Sequence, residues 1–159
     1  MINGTPHGIL LVGADHNNIV GNTIANIRTG DGITLASRSG NLSEYNLIES
    51  NNLYNIANTG IKLGSGVRYN SIKSNYIRNT GADGILLTGN SIYNTICENT
   101  VREADYAGGE YGIWIVAGSN NNMIHGNDLR GNGGNELNDL ATGTLKRDNL
   151  GDGGWLTDA

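Results

Sequence analysis

The feature that most constrains this chain is a two-part repeat that recurs five times, at intervals of 24 to 29 residues. The first phrase has the form Gly-Ile-x-aliphatic and begins at Gly8, Gly32, Gly60, Gly84 and Gly112. The second phrase has the form Asn-x-Ile-x-x-Asn-x-aliphatic and begins at Asn17, Asn46, Asn70, Asn94 and Asn122. An eight-residue pattern kept at every defined position in five copies indicates a repeat protein, in which each unit buries its apolar face against the next.

The aliphatic residues of each repeat alternate with other residues, as in a short β-strand, and no stretch shows the apolar period of a helix. Three short strands in about 24 residues leave too little chain for crossover helices or long hairpins. The sequence therefore predicts an all-β fold, a single-stranded right-handed parallel β-helix of five to six coils with three short strands each. At a strand spacing of about 4.8 Å the coils would form a rod roughly 25 to 30 Å long.

The corners of this coil are expected to be rich in asparagine and glycine. The chain has 25 Gly and 25 Asn but a single Pro and no Phe, and both abundant residues tolerate left-handed backbone angles. We predict a structural ladder of stacked amides, with left-handed corners, between the second and third strands. Its members are Asn22, Asn51, Asn75, Asn99 and Asn127.

The domain organisation follows from the extent of the repeat. We expect one β-helix over residues 1–150 and a C-terminal cap or tail over residues 151–159, in which Trp155 and Leu156 cover the last coil. Because the first repeat begins by about residue 8 and solenoids need covered ends, we interpret the chain as part of a longer protein.

Charge and composition argue against several partners. A net charge of -5 with 10 Lys and Arg gives no basic surface for nucleic acid or an anionic membrane, and the N terminus lacks the pattern of a signal peptide. The single cysteine, Cys97, excludes an intrachain disulfide. Cys97 and His125 are expected on adjacent coils of the second-strand face, but two ligands make a poor metal site, so none is predicted.

The two phrases resemble the carbohydrate-binding and sugar-hydrolase type repeat of the pectate-lyase-like right-handed β-helix superfamily, over roughly residues 8–140. Mannuronan epimerases and phage tailspikes carry repeats of this type. The resemblance implies an extended polysaccharide as partner and an extracellular or virion-associated location. It leaves open whether the chain only binds the polysaccharide or modifies it as a lyase, epimerase or hydrolase. The alternative is a non-catalytic structural or trimer-forming module, for example of a phage tail protein.

Candidate site residues are those that depart from the repeat, because the coil does not need them. Two insertions, residues 37–45 and 104–111, lengthen connections between strands. In related enzymes the substrate lies along the first-strand face and its loops. A stripe of arginines is expected just after the third strand, next to the insertion at residues 104–111. Aromatic rings would stack on sugars, and arginines would pair with uronate carboxylates. The substrate-binding candidates are Arg78, Arg102, Tyr111 and Trp114, with Arg130 extending a stripe of arginines.

Carboxylates near this stripe are weak candidates for catalysis, namely Asp83, Asp105 and Glu110. Such carboxylates could also hold Ca²⁺, the one ion considered as a cofactor. The alternative interpretation is an ordinary solvated and salt-bridged exterior. Trp114 is expected to point outward beside Leu86 of the neighbouring coil, where it contacts either a sugar or another protomer of a homotrimer.

The reaction class can be tested by incubating the protein with pectate, alginate, hyaluronan and bacterial capsular polysaccharides. Ultraviolet absorbance of unsaturated products would identify a lyase, and shortened chains without that absorbance would identify a hydrolase. Intact substrates throughout would favour a binding or structural protein.

Overall fold

A computed structural model of the chain describes residues 1–4, 7–104, 110–132 and 136–156. Within these ranges the regular structure is all β-strand, coiled into a right-handed parallel β-helix of about six turns. The predicted fold class is confirmed. None of the described residues forms a helix long and apolar enough to cross a membrane.

The coils build three parallel sheets, one for each strand position. The first-strand sheet consists of β2 (Ile9–Val12), β5 (Ile33–Ala36), β8 (Ile61–Leu63), β11 (Ile85–Leu87), β14 (Ile113–Ile115) and β16 (Leu137–Asp139). The second-strand sheet consists of β3 (Asn18–Val20), β6 (Leu47–Glu49), β9 (Ser71–Lys73), β12 (Thr95–Cys97), β15 (Met123–His125) and β17 (Leu145–Arg147). The third-strand sheet consists of β1 (Ile2–Asn3), β4 (Thr23–Ile27), β7 (Asn52–Ile56), β10 (Tyr76–Thr80) and β13 (Thr100–Ala104). The last strands, β18 (Asn149–Gly151) and β19 (Gly154–Leu156), form an antiparallel pair.

Aliphatic side chains fill the interior and stack in register from coil to coil. Ile33, Ile61 and Ile85 are successive partners on the first-strand sheet, and all three are fully buried. Ile72 and Ile77 occupy the corresponding inward positions of the second and third strands. Each core residue therefore packs on its own equivalent in the next coil, so the sequence period determines the packing.

Two ladders of buried asparagine amides join the coils, one at each end of the second strand. In the predicted ladder, Oδ1 of Asn75 accepts hydrogen bonds from the backbone N and from Nδ2 of Asn51, both at 3.0 Å. Nδ2 of Asn51 also donates to the carbonyl oxygen of Ile19 at 2.8 Å. This ladder continues beyond the predicted residues to Asn149. The other ladder repeats the arrangement at the first asparagine of the second phrase, in Asn17, Asn46, Asn70, Asn94 and Asn122.

The left-handed residue of these corners is not the ladder asparagine, so this part of the prediction is wrong. Left-handed angles occur one residue earlier, at Ser50 (φ 53°), Ser74 (φ 53°) and Glu98 (φ 56°). The left-handed residue turns the chain, and the asparagine after it directs its amide into the corner, where buried backbone groups need partners.

The glycine of the first phrase is required by close contact between coils. A Cβ atom on Gly32, Gly60 or Gly84 would lie 2.5 to 2.6 Å from the carbonyl oxygen of the equivalent glycine in the following coil. The backbones of neighbouring coils therefore lie too close together at this position for any residue with a Cβ atom.

The C-terminal residues cover the last coil only in part. Leu156 packs against the aliphatic core, as expected, but Trp155 is 67% exposed and does not cover the coil. Adjacent residues of a strand face opposite ways, so β19 can present only one of the two to the core. The boundary between residues 1–150 and 151–159 stays a prediction.

The buried ladder can be tested by the same substitution at two neighbouring asparagines. Asn51→Ala removes the side chain that accepts from Asn22 and donates to Ile19 and Asn75, and we expect it to lower the free energy of unfolding by about 3 kcal/mol or more, because several buried polar groups lose their partners. Asn52→Ala, on an exposed residue of β7, should change it by less than about 0.5 kcal/mol. Chemical denaturation measures both, and equal effects would contradict a structural role for the ladder.

Candidate functional site

The outer face of the third-strand sheet brings two of the predicted substrate-binding residues together. Arg78 of β10 and Arg102 of β13 are direct partners in the parallel register. The preceding residues, Ile77 and Val101, are fully buried in the core. Because adjacent residues of a strand face opposite ways, Arg78 and Arg102 point outward. We call the aromatic and charged side chains on the outside of this sheet the arginine face: Tyr54, Tyr76, Arg78, Arg102, Asp128 and Arg130.

Arg78 lies at the centre of the arginine face. Its guanidinium carbon lies 5.1 Å from the ring centroid of Tyr54, a cation–π contact with the preceding coil. Tyr76, two residues before Arg78 on the same strand, is 43% exposed. Among the described residues, no carboxylate forms an ion pair with Arg78.

Arg102 and Arg130 share one carboxylate, that of Asp128. Nη2 of Arg102 lies 2.5 Å from Oδ2 of Asp128, and Nη2 of Arg130 lies 2.8 Å from the same oxygen. The hydrogen bonds from Arg130 and then from Arg102 hold the pKa of Asp128 well below its ordinary value. The predicted arginine stripe therefore exists, although Arg78 and Arg102 lie within β10 and β13 and not just after these strands. Two of its three members are already neutralised in part.

A third row of asparagines borders the arginine face. Nδ2 of Asn79 donates to Oδ1 of Asn55 at 2.8 Å, and Nδ2 of Asn55 donates to Oδ1 of Asn26 at 3.0 Å. These residues occupy left-handed corners directly after the outward positions of β4, β7 and β10. Unlike the two buried ladders, this row is in contact with solvent. It places amide donors and acceptors beside Tyr54 and Arg78.

The other two substrate-binding candidates contact each other on the first-strand side. The rings of Tyr111 and Trp114 lie 5.8 Å apart at an angle of 51°. Trp114 is the register partner of Leu86, as predicted, but both side chains are half-buried and do not form the exposed apolar pair that was expected. Nε1 of Trp114 is buried without a hydrogen-bond partner among the described residues.

The candidate carboxylates differ in their surroundings. Asp83 is 2% exposed, and its Oδ1 accepts a hydrogen bond from the backbone N of Tyr111 at 2.9 Å. Asp31, at the same position two coils earlier, makes the same contact with the backbone N of Thr59, so this contact of Asp83 is part of the repeat. Glu110 is half-buried, and Asp105 lies outside the described residues. A catalytic role for these three residues stays a prediction.

A column of stacked aromatic rings, which was not predicted from the sequence, runs along one corner of the coil. His16, Tyr45, Tyr69 and Tyr93 stack at centroid distances of 5.2, 5.5 and 5.5 Å. Each of these residues directly precedes the first asparagine of the second phrase and has a left-handed φ. An aromatic residue that recurs at this position of the repeat could have predicted the column from the sequence. Because the rings cover one another's faces, only their edges and the end faces of the column are open to a ligand.

The insertion at residues 37–45 lines an open groove of about 290 Å³ together with Asp15. Its carboxylates have partners within the protein. Oδ1 of Asp15 accepts from the backbone N of Glu44 at 2.9 Å, and Oε1 of Glu44 pairs with Arg68. Through these contacts, the two carboxylates hold the insertion in place.

No three His, Cys, Asp or Glu side chains in the described ranges converge in a way that could hold a metal ion. The predicted adjacency of Cys97 and His125 is confirmed, because the two residues are register partners on β12 and β15. Burial raises the pKa of the Cys97 thiol. Met123 lies two residues before His125 on β15, so a thiol, an imidazole and a thioether share one patch of the second-strand face.

Comparison with known proteins identifies one family. The family described as "NosD: Periplasmic copper-binding protein (NosD)" matches residues 1–141, most of the chain. No curated protein and no solved structure gives a significant match. The family match agrees with the β-helix fold and does not point to the pectate-lyase-like type of repeat in particular.

The shared carboxylate of the arginine face predicts a pH-dependent contribution to stability. Asp128→Asn should lower the free energy of unfolding by about 1–2 kcal/mol at neutral pH, because it breaks two charge-assisted contacts. Since the pKa of Asp128 is lowered in the folded state, the difference from the wild type should shrink as the pH falls below about 4, where the unfolded carboxyl takes up a proton. Denaturation at a series of pH values measures this.

The control is Asp148→Asn, on a carboxylate whose side chain is 73% exposed in its contact with Arg147. It should have little effect at any pH. A constant difference between Asp128→Asn and the wild type down to the most acidic pH would contradict the prediction.

Proposed function

We propose that this chain, which belongs to the NosD family, is a binding module that lies outside the cytoplasm and holds an extended acidic polysaccharide on its arginine face. The family's description as periplasmic supports the location and agrees in a coarse sense with the extracellular location expected from the sequence. It gives no support to association with a virion.

The observation that carries this proposal is the state of Arg78. Its guanidinium has no carboxylate partner among the described residues, is held over the Tyr54 ring, and lies in register with Arg102. A uronate carboxylate can therefore bind Arg78 without first displacing a protein acid. Tyr76 offers a partly exposed ring for a sugar, and Asn79 offers an amide for its hydroxyl groups.

Binding without chemistry fits the carboxylates of this region better than hydrolysis does. A general acid must carry a proton near neutral pH, whereas the low pKa of Asp128 keeps it ionised. Asp83 is buried in a contact that the fold repeats elsewhere. Asp128 and Asp83 are therefore poor candidates for a general acid, and the arginine face offers the polysaccharide a charged surface.

A second candidate function is copper binding, which the family's description names. The specific observation in its favour is the patch of Cys97, Met123 and His125, because thiol, thioether and imidazole are donors that copper accepts. This patch lies on the second-strand sheet, whereas the arginine face lies on the third-strand sheet.

Polysaccharide binding can be measured by isothermal titration calorimetry with alginate and pectate, and with dextran as an uncharged comparison. Arg78→Ala should weaken binding of the acidic chains by about tenfold or more, the loss of one charge-assisted contact. Binding should also weaken as the salt concentration rises.

Arg38→Ala, which removes an exposed arginine from the insertion at residues 37–45, is the matched control and should leave the affinity unchanged. Equal losses in both variants would show that binding depends on net charge and not on the arginine face. No binding by the wild type would refute the proposal and favour the structural or trimer-forming alternative.

A further inference from the structure

We infer that Cys97, Met123 and His125 together form a copper(I) site on the outer face of the second-strand sheet. The inference rests on the second proposed function, copper binding, and adds to it the three ligands, the oxidation state and the selectivity over zinc. It is independent of the arginine face.

The strand register brings these donors together. Cys97 pairs with His125, and Thr95 pairs with Met123, in the parallel ladder of β12 and β15. Ile96, in the middle of β12, and Ile124, in the middle of β15, are fully buried. The residues on either side of them therefore face outward. Paired residues on adjacent strands lie about 4.8 Å apart, and residues two apart on one strand lie about 6.6 Å apart. A single ion above the sheet can therefore reach all three side chains.

The thiol and the imidazole have few competing contacts. In the described part of the chain, neither the Cys97 nor the His125 side chain forms a hydrogen bond or an ion pair. Cations of the same outward column lie on both sides, and each is paired with a carboxylate of its own. Lys73 lies 3.1 Å from Glu49, and Arg147 lies 3.5 Å from Asp148. Each of the two cations thus has a carboxylate close by, although Lys73 also interacts electrostatically with Cys97.

The donor set selects the ion. Thiolate and thioether sulfur are soft ligands that favour copper(I), and imidazole also suits copper. Zinc sites are built from thiolate, imidazole and carboxylate ligands, and structural zinc sites need four of them. Calcium and magnesium need several oxygen ligands, which this patch does not offer. Cys97 and His125 by themselves predict no metal site, and the thioether of Met123, two residues before His125, supplies the third donor.

The exposure of the three residues fits a site on the surface of a rigid sheet. Cys97 is 8% exposed and Met123 is 38% exposed, so the thiol lies deep in the patch and the thioether lies at its rim. A copper ion can enter from solvent past Met123 without any change of the backbone. Substitution of these outward residues should also leave the aliphatic core intact.

The test is an anaerobic titration in which the protein competes for copper(I) with the coloured chelator bicinchoninate. The wild type should remove one equivalent of copper(I) from the chelator. Cys97→Ser should lower the affinity by more than about 100-fold, which exceeds the usual cost of losing an outer-shell partner. His125→Gln should have a similar effect, and Met123→Leu should lower the affinity by about tenfold, because a thioether is the weaker donor.

Two controls make the result specific. His7→Gln, which changes an exposed histidine far from the patch in sequence, should leave copper(I) affinity unchanged. Met123→Leu should not alter any weak affinity for zinc, which does not use thioether ligands. Thermal unfolding of each variant should match that of the wild type, which confirms that the fold is intact.

The outcomes separate this inference from copper binding in general. Binding of copper(I) that is unaffected by Cys97→Ser and His125→Gln would overturn the site while leaving copper binding by the chain intact. Absence of copper(I) binding in the wild type would refute both. X-ray absorption of the copper-loaded protein should show sulfur and nitrogen ligands, with fewer sulfur ligands in Met123→Leu.

Discussion

Hydrogen bonds between the side-chain amides of successive coils are the interaction on which the rest of this structure depends. Each buried amide oxygen accepts two hydrogen bonds from the asparagine of the preceding coil, as Asn75 does from Asn51, and each amide nitrogen also donates to a backbone carbonyl. These bonds satisfy backbone groups at corners that no sheet could pair. They also tie each coil to the next at a fixed register.

A fixed register makes every outward position into a column along the rod. One column of the third-strand sheet carries Arg78 and Arg102, and one column of the second-strand sheet carries Cys97 and His125. The core is built from the inward residues, so the outward columns can carry different side chains while the fold stays the same. The two proposed sites are therefore chemically unrelated patches on the same rigid support, the first suited to carboxylates of a polysaccharide and the second to a soft metal ion.

The period of the repeat predicts which column a residue occupies more reliably than it predicts the residue's burial and ion pairs. The adjacency of Arg78 with Arg102, of Leu86 with Trp114 and of Cys97 with His125 followed from the period alone and is confirmed. The burial of Asp83 and the sharing of Asp128 by two arginines did not follow. Register depends on spacing along the chain, whereas burial and ion pairing depend on how the corners and long side chains fill space.

The sequence by itself determined the coil, its inward aliphatic residues and the asparagine ladder between the second and third strands, because alternation and period are properties of a one-dimensional pattern. Only the tertiary structure decided which corner residue is left-handed, why Gly84 admits no side chain, and that tyrosines before the ladder stack into a column. Each of these depends on distances between atoms of neighbouring coils. Such distances exist only after the chain has closed on itself and the coils have stacked.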